Sequence, residues 1–369
     1  MKITCIETLP VAVPLRHAMN IASGAVAAGN HVVVRVHTDE GLVGLGEASP
    51  VASTDADTQR SIVGVIADRL APRLLGRDPR ELGPLVREME RAVPGHHCAK
   101  AGIDLALHDL AGKILGVPVF QLLGGRCRKR LGTLEADLWI DTPQAMAEAA
   151  REAAARGVTA FEIKIGTDPR LDVERVRAVR EAAGPAARLR VDCNEGYDAG
   201  TALQPLRAME RYTLDYIEQP VPRWDLRGMA RLAAALDTPV CADQAAYTAQ
   251  DVFNLLALAA ADLVCIKVAR SGLLRASQVH AICEAAGVRC TLGSMLPLGI
   301  GAAAIHHFAM SAAGVDVALS GVYGSALDYF CDDIVAEVLR DETGAIALGD
   351  APGLGVVLDE ERLRRYTVT

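Results

Sequence analysis

A (β/α) barrel preceded by a smaller α+β domain is the fold class this sequence predicts, on three observations. Strand-like apolar runs that end in a charged residue recur at Phe161–Lys164, Leu189–Asp192, Asp215–Glu218, Pro239–Asp243 and Leu263–Lys267, with 28, 26, 25 and 24 residues between the charged ends. A spacing of about 25 residues is what one strand, one helix and two short loops occupy in such a barrel. Residues 1 to about 125 do not keep this rhythm, and the 369 residues exceed the roughly 250 a barrel needs, which leaves room for a second domain.

Taken in order, Ile3–Pro14 and His31–His37 alternate or run apolar like strands, and Asp39-Glu40-Gly41 signals a hairpin leading into Leu42-Val43-Gly44. The apolar period then becomes helical over Thr58–Leu75, Arg80–Arg91 and Cys98–Leu115. Strands followed by helices make an α+β domain over residues 1–125. Two segments rich in small and polar residues, Arg16–Gly24 and Ser49–Thr58, read either as connecting loops or as covers for a site built elsewhere.

Gly124-Gly125-Arg126 marks a boundary, and the barrel is expected over residues 126–324. Its first strand falls at Thr133–Trp139, followed by a helix over Thr142–Arg156 with a Thr N-cap and Pro143 in the first turn. Further helices are expected near Leu171–Ala183, Thr201–Tyr212, Leu226–Leu236, Ala249–Ala259 and Leu273–Ala286. Val288–Gly293 reads as a seventh strand, Gly299–Ala312 as an alanine-rich helix and Val315–Ser320 as an eighth strand. Residues 325–369 form a tail, with a hairpin signal at Asp341–Gly344, expected to pack back on the first domain.

Hydrophobic residues make up 51% and charged residues 23%, so a large core is available and disorder is not indicated. The net charge of −8 argues against nucleic acid or an anionic membrane as partner. Nine cysteines occur without a C-x-x-C pair, as expected of small core residues in a reducing cytoplasm. The N-terminus lacks the apolar core of a signal peptide, and no run of about 18 apolar residues suggests a membrane span.

The chemistry lies at the strand ends, because barrels of this kind build their sites on that rim. Asp192, Glu218 and Asp243 end three consecutive strands. Carboxylates gathered there repel unless a cation neutralises them, and an all-oxygen set suits Mg²⁺ or Mn²⁺ better than zinc. Lys164 and Lys267 end the second and sixth strands, which face one another across a closed barrel. Crowding and desolvation would bring a lysine there toward general-base range; the alternative is that both lysines only form ion pairs with the carboxylates. A metal-chelated carboxylate substrate would then lose its α-proton to one lysine through an enediolate.

These residues resemble the enolase superfamily, specifically its muconate-lactonizing-enzyme subgroup. The resemblance extends from Ala101-Gly102-Ile103-Asp104-Leu105-Ala106-Leu107-His108-Asp109 and Leu122–Gly125, through Val191–Tyr197, Ile217–Pro220, Ala242–Gln244 and Lys267 with Ser271-Gly272, to Pro352–Gly355. It implies a capping domain over a modified barrel, Mg²⁺, homo-oligomers, and Lys164 and Lys267 as the acid/base pair. Gly293-Ser294 stand where the mandelate-racemase subgroup carries a histidine. Two departures concern residues next to the site. Glu162 replaces the first lysine of the subgroup's Lys-x-Lys, which would raise the pKa of Lys164, so that either the substrate or another cation compensates or Lys164 works mainly as an acid; Gln244 replaces a glutamate. Asn194 lies in the first ligand motif, and Asn20, Ser23, Ser53, Ser294 and Met295 are candidate substrate contacts. Ser320-Gly321-Val322 stands where dipeptide epimerases carry Asp-x-Asp, which ranks that activity low. The expected function is a Mg²⁺-dependent isomerase of a small carboxylate: a racemase or epimerase first, then a cycloisomerase. A lyase acting on a β-hydroxy acid and a catalytically silent carboxylate-binding barrel are the alternatives.

Overall fold

The computed structural model describes residues 1–51, 56–132, 135–317, 325–337, 339 and 345–368. Strands β1 (Ile3–Ile21), β2 (Gly24–Thr38) and β3 (Val43–Ala48) form an antiparallel sheet in that order. β1 is longer than its sequence suggested. It shifts register between Pro14 and Met19 and continues to a turn at Ala22-Ser23, so most of the expected Arg16–Gly24 loop is a strand pair. Pairing is carried by backbone groups, so it extends past the point where the apolar alternation fades.

Three helical stretches follow. Gln59–Val65 is opened by a Thr58–Ser61 capping box and runs through a π-turn (Ile66–Leu70) into Ala71–Leu74; Leu82–Ala92 and His97–Leu115 come next. The last of these is buried continuously from Cys98 to Gly112 because it lies between the sheet and the barrel. Close approach to β3 depends on glycine: a Cβ on Gly46 would sit 2.0 Å from the Gly102 carbonyl oxygen, and one on Gly44 2.1 Å from that of Ala106.

Seven parallel strands make a sheet in sequential order: β4 (Glu135–Leu138), β5 (Ala160–Lys164), β6 (Arg188–Asp192), β7 (Leu214–Glu218), β8 (Val240–Ala242), β9 (Leu263–Ile266) and β10 (Arg289–Leu292). Helices alternate with them, within a few residues of the expected spans. The sixth, Val268–Ala286, begins five residues before expectation and kinks at Gly272. Val315 bridges in parallel to Cys290 and Asp316 N donates to Cys290 O, where the eighth strand was expected to begin. Residues 318–320 of that strand, Ser53, Ser320–Val322 and the Asp341–Gly344 signal lie outside the described residues. No helix among the described residues is long and apolar enough to cross a membrane.

Three buried carboxylates tie the N-terminal elements to the barrel by accepting backbone N–H groups. Asp104 accepts from Leu273 N just after the Gly272 kink. Asp109 accepts from Leu45 N (2.8 Å) on β3 and Leu354 N (2.7 Å) near the C-terminus, and pairs with Lys113. Glu47, at the end of β3, accepts from Leu298 N and Gly301 N at the start of helix Gly299–Ser311, from Ser49 Oγ, and hydrogen-bonds His31. The C-terminal residues close the assembly, with bridges Leu15–Phe330 and Val11–Thr367 and a bond from Val368 N to Pro10 O. A carboxylate is worth most where it satisfies amides that water cannot reach. Asp109→Ala should therefore cost about 2–4 kcal/mol by urea unfolding, with Asp109→Asn costing less, because the alanine leaves two buried amides without an acceptor.

Candidate active site

Strand alternation puts Lys164 and Asp192 side by side on β5 and β6, where they are register partners. Lys164 Nζ donates to Asp192 Oδ2 at 2.7 Å and also to Glu162. Asn194 orients Asp192 from the other side: its backbone N donates to Oδ1 and its Nδ2 to Oδ2, both at 2.8 Å. Asn194 and Glu195 have positive φ (42° and 66°), a backbone cost accepted where the chain must turn across the rim. The turn after Lys164 needs Gly166, at φ 109°, because a Cβ there would meet the Cys193 carbonyl oxygen at 2.4 Å.

On the opposite side, Lys267 Nζ donates to Asp243 Oδ2 at 2.7 Å, and Arg270, one helical turn further on, pairs with Asp243 Oδ1. Gly293 leaves room for this lysine: a Cβ there would lie 2.5 Å from Lys267 Cε. Glu218 stands between the two aspartates in strand order, buried, and no ion pair reaches it among the described residues. Gln219 stitches the rim together, its Oε1 accepting from Asp243 N and Ala245 N at 3.0 Å. Beneath the rim, Glu162 pairs with Arg190, which also pairs with Glu135.

The electrostatics follow from these pairs. Burial would lower the pKa of both lysines, but Asp192 and Glu162 hold Lys164, and Asp243 holds Lys267, above the ordinary lysine value. The expected depression toward general-base range is therefore not what the bare rim produces; the ion pairs outweigh desolvation. Burial likewise pushes Asp243 up, yet Arg270 and Lys267 bring it down to about 2. Glu218 has no such relief, and burial with the neighbouring Asp192 and Asp243 charges raises it well above the usual carboxylate range. Burial raises Glu162 to about 7 against the pull of Lys164.

A divalent cation fits this donor set. Glu135, Asp137, Glu162, Asp192, Glu218 and Asp243 bring six carboxylates against four cations, Lys164, Arg190, Lys267 and Arg270, and the least compensated of the six lies on the central strand. Glu218, Asp243 and Cys265 have ligand atoms within 4.8 Å of one another, and for a hard divalent cation the carboxylate oxygens are better ligands than the soft sulfur. The Asn194 Oδ1 acceptor is buried beside them without a hydrogen-bond partner.

The remaining candidates separate. Asn20 and Ser23 are exposed at the β1–β2 tip. That tip reaches the barrel, since Ala22 abuts Gly166 and Asn20 O accepts from Ile140 N at 2.9 Å. Met295 is buried and Ser294 half-buried after β10, with Ser294 Oγ accepting from Leu296 N. Gln244 is buried, its Oε1 has no partner, and it lines a cavity of about 350 Å³ with His96, His97, Arg223 and Tyr247. Arg190, Arg270 and Gln219 were missed by sequence reasoning. Each had a local signal: Arg190 precedes Asp192 by one alternation, Arg270 follows Lys267 by one helical turn, and Gln219 directly follows Glu218. Trp139 and Tyr329 were missed too. Lys164 Nζ lies 5.8 Å from the Trp139 ring centre, and Tyr329 stands edge-on to Trp139 and donates to Asp137 Oδ2.

The chain is similar to known proteins over its whole length. Residues 3–124 match the mandelate racemase / muconate lactonizing enzyme N-terminal domain, and residues 145–362 match the enolase C-terminal domain-like family. It is 32% identical to the N-succinyl-L-Arg/Lys racemase of Bacillus cereus over 100% of this chain and 98% of that protein, whose crystal structure superposes with a TM-score of 0.93. The dipeptide epimerase of Enterococcus faecalis, solved with Mg and the dipeptide L-Leu-L-Tyr, has a TM-score of 0.88 at 29% identity, covering 96% of this chain and 99% of that one. Muconate lactonizing enzyme of Pseudomonas fluorescens, solved with muconolactone, has a TM-score of 0.93 at 31% identity, covering 99% of both chains. The chain belongs to the mandelate racemase / muconate lactonizing enzyme family of the enolase superfamily, in its muconate-lactonizing subgroup, and is an isomerase.

Proposed function

We propose that this enzyme racemises or epimerises an N-acylated or peptide-linked amino acid by moving the proton on the carbon next to its carboxylate. The observation that carries the reading is the pair of lysines on opposed strands, Lys164 and Lys267, each bound to a carboxylate on one side of Glu218. Taking a proton from one face and returning it to the other requires a neutral amine on one face and an ammonium on the other, and two lysines can exchange these roles. Asp192, Glu218 and Asp243 would hold Mg²⁺, with Mn²⁺ as the alternative hard cation. When bound, the cation supplies Lewis-acid stabilisation of the negative charge that collects on the substrate's carboxylate oxygens.

The chain's own residues do the rest. Lys164 and Lys267 hold and exchange the proton, and Asn194 and Arg270 fix Asp192 and Asp243 in place. The β1–β2 tip lies near the mouth, where it would exclude water and contact the substrate through Asn20 and Ser23. Names borne by relatives, an N-succinylamino-acid racemase and a dipeptide epimerase, support an acylated amino acid as the substrate class. Racemisation uses a lysine on each face, whereas ring closure asks for one proton transfer; the relatives' names, racemase and epimerase as well as cycloisomerase, support both, and we take racemisation first.

None of the nine cysteines forms a disulfide, which supports a cytoplasmic setting. Trp224 and Phe253, exposed at 79% and 66%, offer apolar surface for the homo-oligomer we infer, and light scattering showing only monomer would refute that inference.

The direct test incubates the enzyme with Mg²⁺ in D₂O and N-succinyl-arginine, N-succinyl-lysine, other N-acylamino acids, dipeptides and cis,cis-muconate, and reads deuterium by mass spectrometry. Deuterium should enter the α-position of an amino-acid derivative with inversion. Lys164→Ala and Lys267→Ala should each abolish inversion, lowering it by a factor of about 10²–10⁴. Turnover of muconate without α-exchange of any amino-acid derivative would make the enzyme a cycloisomerase instead.

A further inference from the structure

Glu162 stands where the resemblance to the muconate-lactonizing subgroup implies a lysine, and the structure shows what accompanies it. Glu162 on β5 and Arg190 on β6 are register partners; Arg190 Nε donates to Glu162 Oε2 at 2.8 Å, and its Nη2 forms an ion pair with the same oxygen at 2.7 Å. The same Nη2 pairs with Glu135 on β4. The other oxygen of Glu162 accepts from Lys164. One chain of charges therefore crosses three adjacent strands, Glu135–Arg190–Glu162–Lys164, and all four side chains are at most 10% exposed.

We propose that Glu162, clamped by Arg190, is a positioning residue that holds the Lys164 ammonium on one face of the substrate. The proposal rests on the lysine chemistry of the preceding reading. A lysine side chain has about 2 kcal/mol of rotamer freedom to lose, and one partner leaves much of it. Two partners from different directions, Asp192 beside it and Glu162 beneath, fix where Nζ points. Glu162 can serve only while its own place is fixed. The planar guanidinium does this by reaching Glu135 and Glu162 together, a fork that a lysine at 190 could not reproduce. Lys267 differs: its one carboxylate partner among the described residues is Asp243, itself paired with Arg270, and no second carboxylate holds its Nζ from beneath. The clamp thus acts on one face of the site.

That asymmetry makes the proposal testable. α-Hydrogen exchange is measured separately for the two enantiomers of whichever N-acylamino acid the wild-type enzyme inverts, and Lys164→Ala identifies the enantiomer that depends on Lys164. Arg190→Met and Glu162→Gln should lower kcat for that enantiomer by about 100-fold with KM nearly unchanged, as expected for a reacting group misplaced by about 1 Å. Exchange of the other enantiomer should change little. The double variant Glu162→Gln/Arg190→Met removes the Glu162 charge that Arg190→Met leaves unpaired, so it should regain part of the thermal stability lost in Arg190→Met, Glu135 still lacking its partner, but not the lost exchange. Equal losses for both enantiomers, or recovery of exchange together with stability, would mean that the pair only supports the fold and would overturn the proposal. A crystal structure of the double variant supplies an arm independent of activity: Lys164 Nζ should leave its position beside Asp192, and an unmoved Nζ overturns the proposal. Absence of any exchange by the wild type would defeat the racemase reading itself, while the crystal structure would still decide the clamp.

Discussion

Charge balance at the rim of the barrel is the constraint on which the rest of the structure depends. Two like charges 4 Å apart cost about 4 kcal/mol at an effective dielectric of about 20, so gathered carboxylates cannot stay ionised unpaired. Asp192 and Asp243 meet this with lysines, and Asp243 takes Arg270 as well. Glu218, on the strand between them, has no ion pair among the described residues, and its pKa is raised by burial and by both neighbours. The cations that quiet the flanking aspartates leave Glu218 without one, and that missing counter-charge is what a divalent metal would supply.

Everything outside the rim serves its precision. The N-terminal sheet and helix His97–Leu115 are joined to the barrel by carboxylates that accept backbone amides, a geometry that fixes orientation as well as distance. Asp104 receives the amide after the Gly272 kink in the helix that Lys267 opens, and Glu47 receives the first amides of the helix that follows β10. The elements that carry Lys267 and Gly293 are thus registered against the domain whose β1–β2 tip abuts Gly166 beside Lys164. Loss of one of these contacts would be felt at the site through alignment before it was felt as unfolding.

Much of this was legible in the sequence, and particular residues show why. A barrel strand of four or five residues announces itself poorly, but five of them in phase, each closing on a charge, are unambiguous, and Lys164, Asp192 and Glu218 end their strands while Asp243 and Lys267 follow theirs directly. The departure at Glu162 implied a raised Lys164 pKa, which stands even though Glu162 is paired with a cation, Arg190. Its identity was hidden because cross-strand partners are set by register, which a strand's own residues do not encode. The upward shift of Lys164 was legible from Glu162, but that of Lys267 was not: desolvation can be anticipated from a buried strand end, whereas the ion pair that outweighs it cannot. The far half of β1 was missed because backbone pairing, not apolar alternation, holds it. Ser53 and Ser320–Val322 lie outside the described residues.

The central claim is that Glu218, left without a counter-charge between the two lysines, calls for a divalent cation. Calorimetric titration of Mg²⁺ into the metal-free protein tests it most directly. One ion per chain should bind, and Glu218→Gln, which removes the uncompensated carboxylate, should weaken binding at least about tenfold, or about 1.4 kcal/mol. Binding that is absent in the wild-type protein, or unchanged in Glu218→Gln, would contradict the account.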